Sequence, residues 1–159
     1  MIWYAMYKGP PTGLYPTLMH NGIRLRSWSR YSHIELVHGW RGSIGNCWSS
    51  SDRDDGVRAK DIDLGSGRWD VFLDPWAGPA ERAAALSWFE EHEGAPYDFI
   101  GNLGFVLPFR TDSSGKFICS EAVAAARGLP RPWSYHPQGA LAALTSTKLR
   151  ALGGDLQRT

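Results

Sequence analysis

The N-terminal stretch "MIWYAMYKG" is rich in aromatics and runs into Gly-Pro-Pro, which predicts an opening strand closed by a turn. The stretch "RYSHIELVHG" alternates around Ile34 and Leu36, with Val37 after them, and predicts a second strand. Successive side chains of a strand point to opposite faces, so His33 and Glu35 share one face while Ile34 and Leu36 share the other. Short strands are expected again at "NCWSSS", "GVRAKDIDL" and "RWDVFLD", parted by the turn-forming "DRDDG" and "GSG". Such close spacing favours antiparallel neighbours with tight connections.

The pattern then changes period. In "GPAERAAALSWFEEHEG", Gly78 can cap, Pro79 suits the first helical position and Glu81 falls in the first turn, where the helix dipole favours an acid. Ala83, Leu86 and Phe89 recur at helical spacing, and Gly94 ends the run. "APYDFIGNLGFVLPFRTDSSG" reads as a long connection punctuated by glycine. A second helix is expected in "KFICSEAVAAARG", ended by Gly128, with Val123 and Ala126 facing inward. A third is expected in "HPQGALAALTSTKLRAL", with His136 as a cap, Pro137 near the start and Leu141 and Leu144 on one face, followed by a frayed end over residues 153–159. Strands in one block with helices mostly after them predict an α+β fold, a small antiparallel sheet packed against helices, as one domain over residues 1–159.

Composition narrows the function. Lys and Arg total 17 against 16 Asp and Glu, so no net field argues for nucleic acid or an acidic membrane surface as partner. The longest apolar runs, "AAALSWF" and "FVLPF", are too short for a membrane-spanning segment. The sequence shows no charged-then-apolar leader with a cleavage site, and a cytoplasmic or phage-associated location is expected. Two well-separated cysteines, Cys47 and Cys119, make no disulfide framework. Eight tryptophans can pack the sheet or line a groove for substrate. Nothing sets an oligomeric state.

Cys119 carries the candidate chemistry. It falls in or just before the first turn of its expected helix, where unpaired N–H groups and the dipole favour a thiolate. It can equally be an inert buried residue. His33 is the expected partner for the thiol proton, and Glu35 lies near enough to orient the imidazole, although a lone strand histidine can also be structural. Cys47 sits on a strand with no helix start beside it and is expected to be structural. His20 and His38 stand near turn glycines, and His92 ends an acidic helix.

"YSHIELV", "GAPYDFIG" and "FICSEAVAAARGL", in that order, resemble the circularly permuted papain-like NlpC/P60 hydrolases, a superfamily that includes YiiX-type proteins and, more distantly, lecithin:retinol acyltransferase-like enzymes. The histidine strand precedes the cysteine helix, which is the permuted order. The resemblance implies Cys119 as nucleophile and His33 as general base and acid. It also implies a third polar group, often on the strand after the histidine, but "NCWSSS" supplies no acid there. Glu35 is the first candidate for that role and Ser49 the second. Tyr97 matches the family's "YD". It would line the site or donate to a developing oxyanion beside the Cys119 N–H, or else pack under a loop.

Other chemistries find little support. No C-x-x-C or H-x-x-x-H pair proposes a metal, so no metal or other cofactor is expected. "SSGKF" lacks the spacing of a phosphate loop, "RGSIG" that of a nucleophile elbow, and "DRDDG" is followed by no glutamate within the length of a calcium loop. The leading expectation is a cysteine hydrolase that cleaves an amide or ester in a peptide-like or acyl substrate, such as a peptidoglycan peptide. The alternatives are a thiol-dependent acyltransferase on lipids and a non-catalytic binding module.

Overall fold

In the computed structural model, which describes residues 1–10, 14–106 and 115–146, each predicted strand is present. They are β1 (Trp3–Tyr7), β2 (His33–Arg41), β3 (Ile44–Ser51), β4 (Gly56–Asp63) and β5 (Trp69–Leu73). They form one antiparallel sheet in the order β4-β3-β2-β1-β5, so β5 crosses back to pair with β1. The tight turns join β2 to β3 and β3 to β4. The register sets Tyr7 opposite His33, Leu36 opposite Trp48 and Ser49 opposite Arg58. The fold class is α+β, as the pattern predicts.

The two faces of the sheet differ. Tyr4, Met6, Ile34, Leu36, Trp48 and Val57 point into the main core. There they meet Ala85 and Phe89 of α2 (Pro79–Glu91), Val123 of α4 (Cys119–Ala126) and Leu141 and Leu144 of α5 (Pro137–Thr145). Trp48 stacks on Phe89 with ring centroids 5.5 Å apart. Burying a side chain such as Phe89 stabilises the fold by about 1.5–3 kcal/mol. On the opposite face, Val37, Cys47, Ala5 and Leu64 form a smaller apolar cluster. Alternation puts His33, Glu35 and Arg58 on this second face, where they take the positions that apolar residues hold further along the same strands. The register of β2 against β3 shifts between Val37 and Gly39, which interrupts the alternation where the pairing with β3 runs out toward the turn.

The helix signals mostly hold. Gly78 caps α2 and its N–H donates to the Glu81 carboxylate at 2.9 Å. The inward row is Ala85 and Phe89, one turn apart, while Ala83 faces solvent. His136 caps α5, accepting the Gly139 N–H at Nδ1, and Leu141 and Leu144 are both buried. Gly128 ends α4 at φ +68, a left-handed conformation that suits glycine. Residues 147–159, where the last helix is expected to continue and then fray, lie outside the described residues.

Two helices were not expected. The first, α1 (Leu14–Ser27), places His20 on a helix, and His38 likewise lies inside β2 and not at a turn. The second, α3 (Phe99–Val106), occupies the stretch read as a connection. Pro16 and Gly22 break the helical pattern of the first, and Gly101 and Gly104 that of the second. The local cause of α3 is Asp98, whose buried carboxylate accepts the Gly101 N–H at 2.8 Å as a helix cap. A side chain at position 101 would strike that carboxylate, so glycine makes room for the cap. Among the described residues no helix is long and apolar enough to cross a membrane.

Candidate active site

The start of α4 is placed by the sheet. Gly56 and Pro96 form a bridge at the first residue of β4, and the Val57 N–H donates to the Ala95 carbonyl at 2.9 Å. Tyr97 then pairs in parallel with Phe117. The Phe117 carbonyl accepts the Ser50 hydroxyl of β3 at 2.6 Å, which ties the residues just ahead of the helix to a central strand. Ile118 is the last extended residue (φ −88, ψ 167), and Cys119 is the first residue of α4. Further along the helix start, the Ser120 hydroxyl donates to the Tyr135 carbonyl at 2.7 Å, and the Glu121 carboxylate reaches back to the Ile118 N–H at 3.5 Å. Cys119 is 5% exposed.

His33 is the first residue of β2, and its imidazole lies near enough to Cys119 for the two groups to interact. Its Nε2 lies 2.7 Å from Glu35 Oε1. Burial alone would lower the His33 pKa. Cys119 and then Glu35 beside the ring outweigh burial and raise it to about 10. Glu35 is fully buried, and burial would raise its pKa. Hydrogen bonds from Arg58 and His33, with their charges, hold it below its ordinary 4.5. An ionised carboxylate only accepts, so Nε2 carries the proton toward Glu35, and Nδ1 is the nitrogen left for the sulfur.

Glu35 has a second partner that the sequence did not reveal. Arg58 Nη1 donates to Oε2 at 2.8 Å and Nη2 to Oε1 at 2.7 Å, a two-pronged grip by a guanidinium that is 14% exposed. Arg58 Nε donates to Asp54 Oδ2 at 2.9 Å, and Lys60 Nζ to Asp54 Oδ1 at 2.6 Å. Groups of alternating charge therefore run from His33 through Glu35, Arg58 and Asp54 to Lys60.

These side chains border a cavity of about 370 Å³ on the second face of the sheet. His33, Glu35, Arg58, Asp54 and Lys60 line it, with Tyr7, Trp69 and Ile62 among its few apolar or aromatic walls. Cys119 is not among the lining residues, so His33 is the group common to the cavity and the sulfur. His20 of α1 also lines the cavity, with Nδ1 2.9 Å from the Ser32 hydroxyl. Burial and the neighbouring charges, His33 first, lower its pKa to about 4, so its imidazole is neutral at pH 7. Nothing in the local pattern around His20 signals this position, because the turn of α1 that carries it is itself hidden in the sequence.

The remaining candidates fall as follows. Ser49 is buried and donates to the Ile34 carbonyl at 2.7 Å. Tyr97 is buried beside Ile23 and Ile118, next to the residue that precedes Cys119, and is not among the residues lining the cavity. Cys47 lies in the apolar cluster, where burial pushes its thiol well above the ordinary range. Among the described residues no group of three or more His, Cys, Asp and Glu gathers as a metal site would need. The chain matches no family model, and no curated protein is found to match it.

Proposed function

We propose that the protein is a cysteine hydrolase that opens an amide or ester bond through a thioester acyl-enzyme. The observation that carries this reading is the imidazole of His33 beside Cys119, the first residue of a helix, with Glu35 Oε1 2.7 Å from Nε2 of the same ring. That is the arrangement of nucleophile, base and orienting acid that nucleophilic catalysis requires. In this reading His33 holds the proton of Cys119. The thiolate adds to the substrate carbonyl, and the N–H groups at the start of α4, which lack partners within the helix, steady the oxyanion. The imidazolium passes its proton to the leaving amine or alcohol as the carbon–heteroatom bond breaks. Water then gives a proton to His33 and adds to the thioester, and the acid is released as the carbon–sulfur bond breaks, which restores the thiolate beside the imidazolium. Glu35 keeps the ring oriented and offsets its charge throughout.

The cavity supports a polar, peptide-like substrate, because Asp54, Arg58 and Lys60 on its wall offer charged groups to peptide amides and carboxylates. The resemblance to NlpC/P60 hydrolases supplies the candidate class, peptides of the bacterial cell wall.

The test is competitive alkylation with trace iodoacetamide at pH 7, mapped by mass spectrometry. Cys119 is expected to label roughly tenfold or more faster than Cys47, with His33→Ala removing most of the advantage. Incubation with a muropeptide mixture is expected to release cleaved peptide with the native protein and none with Cys119→Ala. Slow labelling of both cysteines, with no cleavage, would favour a binding module. Transfer of an acyl group from a lipid donor, with no cleavage of peptide, would favour an acyltransferase.

A further inference from the structure

Glu35 accepts three hydrogen bonds in a fully buried position. Its Oε1 receives both His33 Nε2 and Arg58 Nη2, and its Oε2 receives Arg58 Nη1. A buried ion pair of this kind adds little net stability compared with apolar side chains of the same volume. The sheet shows the apolar option on the same face, where Val37 and Cys47 sit directly opposite each other and pack with Leu64. A carboxylate rotates about its last bond, and hydrogen bonding to a single imidazole leaves that rotation free. Two parallel N–H donors from a planar guanidinium do not.

We propose that Arg58 is a positioning residue of the site: its two-pronged grip fixes the carboxylate plane of Glu35 so that Oε1 stays aimed at His33 Nε2, and Asp54 anchors the grip from the loop at the cavity wall. This rests on the hydrolase reading above and assigns a fourth residue to that site. Arg58 bonds Glu35 and not the imidazole, so it acts on the ring through Glu35. Lys60 steadies Asp54 in turn, which extends the support to the exposed edge of β4. Without Arg58, Glu35 would keep one partner for two oxygens, and burial would favour its neutral form. A protonated carboxyl can donate to Nε2, which reverses the hydrogen bond that orients the ring.

The test compares alkylation of Cys119 and the imidazole NMR signals of His33 in the native protein, Arg58→Lys, Arg58→Met and Asp54→Asn. Native Cys119 is measured first. If it labels no faster than Cys47, the hydrolase reading fails, and the variants are then judged on the His33 signals alone. The proposal predicts that folded Arg58→Lys loses about tenfold or more in labelling rate, shifts the pH profile of labelling and weakens the downfield Nε2–H resonance of His33. Lysine cannot supply two parallel donors, so it rescues part of the loss in Arg58→Met and not all of it. A purely structural role predicts a lower Tm with the native rate, profile and resonance, and that result in a folded variant overturns the proposal. Should both Arg58 variants fail to fold, Asp54→Asn decides. It leaves the grip on Glu35 in place but weakens its anchor, and a rate loss of roughly threefold with a shifted His33 resonance supports the proposal. Native behaviour in that variant overturns it.

Discussion

A carboxylate buried in a sheet must have its charge answered from nearby, and at Glu35 both an imidazole and a guanidinium do so. Glu35→Gln keeps the shape and removes the charge. It leaves Arg58 buried with less compensation, and a loss of about 3–5 kcal/mol is expected on denaturant unfolding. Labelling of Cys119 should slow in the folded fraction. The pH dependence follows from the direction of the shift. Glu35 titrates below its ordinary 4.5 in the folded protein, so its stabilising contribution is complete above that value and is lost as the pH falls through the lower, folded one. The urea midpoint of the native protein should therefore drop on acidification across this window, and that of Glu35→Gln should drop less. The shared face of His33 and Glu35 was legible because it needs only the alternation of one strand. Arg58 was not, because its approach depends on the register of β3 against β4 and on the place of β3 between β2 and β4, neither of which is written in any short stretch of the chain.

At the scale of elements, the reading of the site depends on how the sheet holds the start of α4. Gly56 is the joint. Its φ of +144 is open to glycine, and a Cβ there would run into the Ala95 carbonyl oxygen. Gly56→Ala should destabilise the fold by about 1–3 kcal/mol from backbone strain alone, with a further cost for the contact, read as a lower Tm. Because Val57, Ala95 and Pro96 lead through Tyr97 to Phe117, the same change should loosen Cys119 relative to His33 and slow its labelling. The strands and three of the helices were legible from period and caps. The other two were hidden by glycine and proline, whose cost in α3 is offset by the Asp98 cap. That cap was visible as "YD", where the Asp caps the helix and the Tyr packs beside Ile23 and Ile118.

Over the whole molecule, the chain uses one face of its sheet for the core and gives part of the other to charged groups around a cavity. A separate buried network holds the far end of α4. Tyr4 donates to Asp74 at 2.6 Å, and Arg127 donates to Tyr4 at 2.9 Å and to Asp74 at 2.9 Å. Asp74→Asn leaves the Arg127 charge buried without its counter-charge, and should lower Tm by roughly 10 °C, while the labelling rate of Cys119 in the folded protein stays native. The pairing of β5 with β1 brings Asp74 to Arg127, and no local pattern shows that crossover.

The central claim is that His33 and Cys119 act as a charged pair, and a titration of the His33 imidazole by NMR tests it most directly. The pair predicts that His33 stays protonated far above its ordinary 6.5, toward about 10, in the native protein. It also predicts a fall back toward the ordinary range in Cys119→Ser. A His33 that titrates near 6.5 in both proteins would contradict the account.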